Sequence, residues 1–281
     1  MLKKARKLLK FLSKPKENYA NFFIFKYHLF KTIKKTLVKY GLAQNTDTAQ
    51  NDMFDWSLYH LHYRGELKKD AKLYTLKLNK GDYLFVDGRL EKNNKEIKPI
   101  HYNWRLIYET ILQLKPESVL EIGCGNGMHL ANLQTLAPEI KLSGIDRSEE
   151  QIKFLRESFP YLKAEIKQAD ATIPFPENFP KADLSFTQAI IMHIHTGDSH
   201  LTALANLFNI SRKYILLMEK WKNHSFMTDI KKLQSKQIIK WERIFFYYRV
   251  CEEIQKPHLM ICSNQPLEYP EIKNYEIMLN K

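Results

Sequence analysis

The sequence predicts an α/β fold, a doubly wound, mostly parallel seven-stranded sheet with a C-terminal antiparallel hairpin. A helical and β-hairpin extension is predicted to precede it. Short apolar runs alternate with helical patterns after residue 100, which is typical of a parallel sheet covered on both faces. One such run leads straight into a glycine-rich turn. Two further apolar runs near the C-terminus are separated by a short link, which favours an edge hairpin.

The composition supports a globular chain, with 44% hydrophobic and 27% charged residues in 281. No apolar stretch is long enough to span a bilayer. The three cysteines, Cys124, Cys251 and Cys262, have the spacing of neither a zinc site nor a disulfide framework. No apolar signal core follows the basic N-terminus. A cytoplasmic location is therefore expected.

The net charge of +13 is concentrated in residues 1–40, which hold twelve Lys and Arg and a single acid, Glu17. The remaining residues hold 32 basic and 30 acidic side chains and are nearly neutral. Within 1–40, leucines and aromatic residues recur at helical spacing, which predicts a basic helical arm.

Residues 52–99 are predicted to form a small cap. Its first part, Met53 to Tyr63, is aromatic-rich and predicted to be helical. Alternation from Leu73 to Leu78, a turn at 80–82 and a strand at 83–86 together predict a hairpin. The charged stretch 91–98 is predicted to be a loop. We therefore divide the chain into an extension, residues 1–99, and a single α/β domain, residues 100–281.

The elements of the α/β domain follow from its apolar periodicity. Strands are predicted at 118–122, 141–145, 163–168, 182–187 and 213–219, with helical patterns that include 129–136 and 149–158. The final hairpin is predicted from 243–250 and 258–262, with Pro257 in its link.

The chemistry is expected where strand 118–122 meets the turn Gly123-Cys-Gly-Asn-Gly127 and a helix follows. A glycine-rich turn of this kind exposes backbone N–H groups and a helix N-terminus, which suits a nucleoside or an anionic ligand. The next strand ends at Asp146, where an acid can accept hydrogen bonds from a ribose.

A dinucleotide fingerprint would require glycine at position 128, which is Met128. Here Glu121 precedes glycines at 123, 125 and 127. This E-x-G-x-G-x-G motif resembles the first motif of the class I methyltransferases, which use S-adenosylmethionine (SAM). The resemblance covers about residues 100–265 and implies a Rossmann-like domain that binds SAM.

The resemblance implies a set of cofactor contacts, residue by residue. The three glycines and Asn126 would face the methionine and ribose, supported by Glu121, and Asp146 would accept the ribose hydroxyls. Arg147 and Ala171 would border the adenine, and Asp170 would accept from its amino group. Further contacts are implied beneath the sulfonium and over the pocket: Thr187, Gln188, Tyr102 and Trp104.

Methyl transfer to oxygen or nitrogen benefits from a positioned base, and histidine is well matched near neutral pH. In relatives, an apolar-His-apolar segment follows the fourth strand, and here Ile190 to His195 has that pattern. The candidates are His193, His195 and Glu219, each of which has an alternative as a packing or backbone-bonding residue. The spacing of histidines and acids predicts no metal site.

We expect an O-methyltransferase acting on a small-molecule or surface-glycan-linked acceptor, because the body is nearly neutral and the fourth strand lacks the Pro-Pro motif of nucleic-acid amino-methylating relatives. One alternative is an RNA methyltransferase with residues 1–40 as a phosphate-binding arm. Another places residues 1–14 on an anionic membrane surface as a basic amphipathic helix, which would make the enzyme peripheral at the inner face.

Overall fold

The computed structural model describes residues 69–279. The basic arm and the predicted helix from Met53 to Tyr63 lie outside the described residues. The predicted division of the chain at residues 99 and 100 stays a prediction.

The N-terminal part of the described chain forms a hairpin, but with different strands from those predicted. Strand β1, Tyr83–Val86, pairs antiparallel with β2, Arg89–Lys92. The two-residue loop between them is Asp87-Gly88, with φ of 47° and 80°. Positive φ at both positions is the requirement of a type I′ hairpin turn, for which Asp-Gly is a preferred pair. The predicted loop 91–98 therefore begins two residues too early.

The alternating segment from Leu73 to Leu78 is not a strand, and the prediction there is wrong. Two of its backbone groups bond to a side chain, and the Thr75 N–H donates to the Pro99 carbonyl. The Asn132 side chain accepts from the Leu78 N–H at 2.9 Å and donates to the Leu76 carbonyl at 2.8 Å. One buried amide thus replaces a β partner and attaches this segment to the α/β domain.

The main sheet confirms the predicted fold class. It has seven strands in the order β5-β4-β3-β6-β7-β9-β8, parallel from β5 to β7, with β9 antiparallel to both of its neighbours. Their bounds are β3 Ser118–Ile122, β4 Lys141–Asp146, β5 Glu165–Gln168, β6 Ala182–Gln188, β7 Ser211–Met218, β8 Phe245–Cys251 and β9 Lys256–Ser263.

The C-terminal hairpin is confirmed, with one correction. Pro257 lies within β9 rather than in the link. It lies opposite Val250, at an irregularity in the register of the β8–β9 pair. Proline is tolerated at such a position because it lacks the N–H that a regular ladder uses.

Within residues 69–279, the two faces of the sheet are covered by α-helices. They are α1 Tyr102–Leu114, α2 Met128–Leu136, α3 Glu149–Ser158, α4 Ser199–Ile210 and α5 Phe226–Ser235, with 3₁₀ turns at Ile191–His193 and Tyr275–Leu279. Helix α3 shows why a helix begins where it does: the Ser148 hydroxyl accepts from the Gln151 N–H, and two glutamates occupy the first turn.

Each face of the sheet has its own buried cluster. One includes Ile107, Leu130 and Leu184, and the other includes Leu120, Phe208 and Leu217. Alternate residues along a strand point to opposite faces, so each parallel strand serves both clusters. Within residues 69–279, none of the helices has the length and apolar character needed to cross a membrane. The parallel strands all end at one edge of the sheet, and the candidate site lies there.

Candidate active site

A cavity of about 380 Å³ opens at the carboxyl ends of β3 and β4. This position is where open α/β sheets bind their ligands, and the volume is in the range of small-molecule sites. Its walls come from four connections that follow β3, β4, β5 and β6. The lining residues are Ile122, Gly123, Gly125, Asp146, Arg147, Gln151, Ala169, Asp170, Ala171, Thr172, Ile190, His193, Ile194, Thr196 and Ser199.

The glycine-rich turn forms the floor of this cavity. Gly123 has φ of 76°, and a Cβ there would lie 2.4 Å from the Ile190 Cδ1 atom. Gly125 has φ of 52°, but a Cβ there would meet no protein atom within 4 Å. Both positions require the left-handed backbone that glycine adopts freely. The Gly123 site is closed by a protein side chain, whereas the Gly125 site leaves room for a ligand against the backbone.

The turn differs from the expectation in one respect, because its amides already have protein acceptors. The N–H groups of Gly123 and Cys124 both donate to the Ile145 carbonyl, at 2.8 and 2.9 Å. Gly127 donates to the Cys124 carbonyl. The expectation of bare amides is therefore wrong for these residues. The turn favours a ligand by close approach rather than by an array of open donors.

Asn126 also serves the turn itself. Its side chain is 3% exposed and accepts from the N–H of Met128, two residues on, at 3.3 Å. It is not among the residues that line the cavity. The structure thus places Asn126 as a support of the turn, and its implied ligand contact stays a prediction.

Asp146 ends β4 with its carboxylate held on both oxygens. The Oδ2 atom accepts from the Gly125 N–H at 2.9 Å, and Oδ1 accepts from the Ser148 N–H at 2.8 Å. Burial raises the pKa of Asp146, and these two hydrogen bonds oppose the shift. A carboxylate offers about four lone-pair sites, so each oxygen can still accept one hydrogen bond from a ligand. Two adjacent acceptors of fixed orientation suit a vicinal diol such as a ribose.

Glu121 lies beneath the turn and is 2% exposed. Burial, followed by the charge of Asp146, raises the pKa of Glu121 well above its ordinary value. Its Oε2 atom has no hydrogen-bond partner among residues 69–279. Glu121 does not line the cavity, and its raised pKa favours the neutral carboxyl, which lowers the cost of burying this atom without a partner.

The wall that follows β5 contains Asp170 and Ala171, both of which line the cavity. The Asp170 Oδ1 atom accepts from the N–H and the hydroxyl of Thr172, at 2.9 and 2.7 Å. Asn206 on α4 fixes the same segment, because its side chain donates to the carbonyls of Ala171 and Ile173, both at 2.8 Å. Asn206 was not predicted from the sequence, because nothing in the helical pattern around it distinguishes it from an asparagine that is merely buried.

The histidine candidates separate in the structure. His193 lines the cavity, and its pKa is lowered by burial and by the nearby His195 and Lys220. His195 does not line the cavity, and its ring centroid lies 5.4 Å from that of His224. Of the three catalytic candidates, His193 lines the cavity, and its lowered pKa favours the neutral imidazole, the form that can accept a proton.

Glu219, the third catalytic candidate, is 5% exposed and does not line the cavity. It accepts from the Thr187 hydroxyl at 2.7 Å, and Thr187 is itself buried and does not line the cavity. Burial raises the pKa of Glu219, and hydrogen bonds from Met192 and Thr187 oppose the shift. Gln188 lies beside the buried His129. The structure thus keeps these side chains out of the cavity wall.

Tyr102 and Trp104 are not brought to the cavity either. Tyr102 lines a separate pocket of about 220 Å³ beside β2 and β8. Trp104 is 7% exposed and packs edge-on against His129, with ring centroids 5.2 Å apart. Their implied role as a cover of the cofactor has no support in these contacts.

The residues present fit SAM in two respects. The space over Gly125 admits a ligand, and each Asp146 oxygen can accept one further hydrogen bond, as a ribose diol requires. Within the described range, 69–279, no three His, Cys, Asp or Glu side chains come together to hold a metal ion.

Comparison with known proteins agrees with this geometry. Residues 119–213 match the family model described as a methyltransferase domain, which covers about a third of the chain. The matched segment begins in β3 and ends in β7, so it includes the glycine-rich turn, Asp146 and His193. No curated protein sequence matches the chain at a significant level.

Several solved structures resemble the chain at low identity. SAM-bound CalS10, an amino pentose methyltransferase from Micromonospora echinaspora, is 17% identical over 43% of this chain and 51% of its own, with a TM-score of 0.38. A TehB-like SAM-dependent methyltransferase from Corynebacterium glutamicum is 16% identical over 60% and 90% of the two chains, with a TM-score of 0.45. The chain thus spans about half the length of CalS10. At these identities the likeness concerns the fold alone.

Proposed function

We propose that residues 119–213, which match a methyltransferase domain, are part of a class I SAM-dependent methyltransferase that methylates an oxygen of a small-molecule or glycan-linked acceptor. The observation that carries the proposal is the placement of His193 on the wall of the cavity that the glycine-rich turn and Asp146 define. The RNA and membrane alternatives rest on residues 1–40, outside the described residues.

When bound, SAM supplies an electrophilic methyl group on a sulfonium, and the protein has to supply alignment and a proton acceptor. The Gly125 backbone, by leaving space for close approach, and the Asp146 carboxylate would hold the cofactor in place. Ile190 and Ile194 give the cavity an apolar wall, which keeps water away from the reacting centre.

His193 accepts the proton that a hydroxyl acceptor loses as its oxygen is methylated. Its lowered pKa favours the neutral imidazole, the form that can accept a proton, at neutral pH. A positioned base of this kind contributes about 10²- to 10⁴-fold to the rate. An acceptor atom that has no proton to lose on methylation would gain little from such a base.

The proposal is tested by transfer of a radiolabelled methyl group from SAM to a panel of phenols, sugars, matched amines and total RNA. We expect label on the hydroxyl compounds, and a mass increase of one CH₂ in the product, because a methyl group replaces the hydroxyl hydrogen. His193→Ala should lower turnover by about 10²-fold or more while SAM affinity measured by calorimetry stays close to wild type. His258→Ala is a matched control, because His258 is a half-buried histidine outside the cavity, bonded to the Asn103 side chain.

Label found only on amines or RNA would contradict the choice of acceptor and leave the SAM site in place. Wild-type turnover in His193→Ala would remove His193 from the reaction.

A further inference from the structure

The segment that carries His193 is a strained turn, residues 189–194, which we call the His193 turn. Ala189 begins it with φ of 54°, a left-handed conformation that is unfavourable for a residue with a Cβ. The next residues form a single 3₁₀ turn, in which the His193 N–H donates to the Ile190 carbonyl at 3.0 Å. Such a short element has little stability of its own, so it needs partners elsewhere in the fold.

Glu219 supplies most of these partners from the end of the neighbouring strand. Its carboxylate accepts from three consecutive backbone N–H groups, those of Ile190, Ile191 and Met192, at 3.2, 3.3 and 3.0 Å. The first two donate to Oε1 and the third to Oε2. Three amides that converge on one buried carboxylate are a specific arrangement, because few backbone conformations direct successive N–H groups to one point.

Two residues just beyond Glu219 hold the carbonyl side of the same turn. The Asn223 side chain donates to the Met192 carbonyl at 2.8 Å. The His224 Nε2 atom lies 3.1 Å from the Ile191 carbonyl, which requires that this nitrogen carry the proton. The pKa of His224 is lowered to about 4 by burial and by the adjacent His200 and His195. At neutral pH the ring is therefore a neutral donor to this carbonyl.

We propose that Glu219, Asn223 and His224 form a clamp that positions His193 and Ile190 in the cavity. The effect of the clamp on turnover rests on the proposed methyl transfer, whereas its effect on the structure of the turn does not. Glu219 is then a positioning residue and not a base, because its oxygens are occupied by backbone amides and its side chain does not line the cavity.

The clamp acts on two walls of the site at once. Ile190 closes over Gly123, and His193 faces the cavity from the same turn. A displacement of the turn would therefore move the base and open the apolar wall together. Misplacement of a reacting group by about 1 Å can lower the rate by about 10²-fold.

The test is Glu219→Gln, which keeps the length of the side chain but offers a single acceptor oxygen. That oxygen can still serve the amides of Ile190 and Ile191, while the new NH₂ group faces the N–H of Met192 and repels it. We expect amide hydrogen exchange at Met192 to accelerate by about tenfold or more, the equivalent of one lost charge-assisted hydrogen bond. Freed from its position, His193 should show an imidazole pKa by NMR that moves up toward its ordinary value.

The matched control is Asp183→Asn, which also changes a buried carboxylate with backbone and side-chain partners. Asp183 lies near the amino end of β6, far along the strand from the His193 turn. It should lower stability without changing exchange at Met192 or the pKa of His193. Asn223→Ala is a milder second variant, in case Glu219→Gln does not fold, and should also accelerate exchange in the turn.

If both clamp variants fold and leave Met192 exchange and the His193 pKa as in the wild type, the clamp is overturned. If the Met192 amide exchange and the His193 pKa change as expected, the clamp is supported. If turnover also falls while SAM affinity changes little, the result supports a catalytic role for the clamp. If the wild-type protein methylates none of the acceptors tested, the proposed function is contradicted. The hydrogen-exchange measurement at Met192 would still test the clamp independently.

Discussion

Replacement of Asp146 by alanine tests the cofactor site most directly. The substitution removes a carboxylate whose two oxygens are fixed by the N–H groups of Gly125 and Ser148. If the same oxygens accept two ribose hydroxyls, binding loses two hydrogen bonds to a charged group. At about 1.5–3 kcal/mol each, the loss is about 3–6 kcal/mol. Since every 1.4 kcal/mol corresponds to about tenfold, SAM affinity should fall by about 10²- to 10⁴-fold.

The substitution also affects the fold, and the assay has to separate the two effects. The N–H groups of Gly125 and Ser148 lose their acceptor, which costs about 1–3 kcal/mol each where water cannot replace it. Affinity should therefore be measured by calorimetry at a temperature where circular dichroism shows the variant folded. Asp198→Asn is the control, because Asp198 is an exposed acid near the cavity that caps no helix through its side chain.

An unchanged affinity in folded Asp146→Ala would refute the ribose assignment, because no other acid lies on β4 beside the turn. A loss of affinity shared by Asp198→Asn would point to charge alone, and would equally contradict the geometric argument.

Three further outcomes are expected. Gly125→Ala should lower SAM affinity, because the added methyl group projects into the open space over the turn; since it meets no protein atom, its cost in stability should be limited to the backbone strain at φ of 52°. Gly127→Ala should instead destabilise the fold, because its Cβ would lie 2.5 Å from the Leu155 Cγ atom at φ of 76°. Thermal melts and SAM titrations of the two variants check both predictions. Equal losses of stability and of SAM affinity in the two variants would refute the distinction. The pKa of His129 is lowered to about 3 by complete burial, so its contribution to stability is present above about pH 6.5 and is lost as the pH falls toward 3. Urea unfolding across this range should show a flatter pH dependence for His129→Gln than for the wild type, and parallel curves would contradict the linkage.

Much of the sheet was predictable because its strands are buried on both faces and therefore read as continuous apolar runs. Strands β3, β4 and β6 begin at the predicted residues, 118, 141 and 182. The hairpin before them was not predicted correctly. The Asp87-Gly88 pair is a strong turn signal, but the alternation from Leu73 to Leu78 competed with it. Only the packed structure shows that the Asn132 side chain satisfies this segment in place of a strand.

The same division holds at the site. The glycine-rich turn and Asp146 are determined by the sequence, because each follows a strand directly and parallel strands bring their carboxyl ends to one edge. Which side chain faces the cavity was decided only by tertiary structure. Glu219 and His193 are both polar residues that follow strands, yet one accepts three amides of the turn that carries the other. That pairing depends on β6 and β7 being neighbours with a fixed register, and no local pattern encodes the position of a partner about thirty residues away.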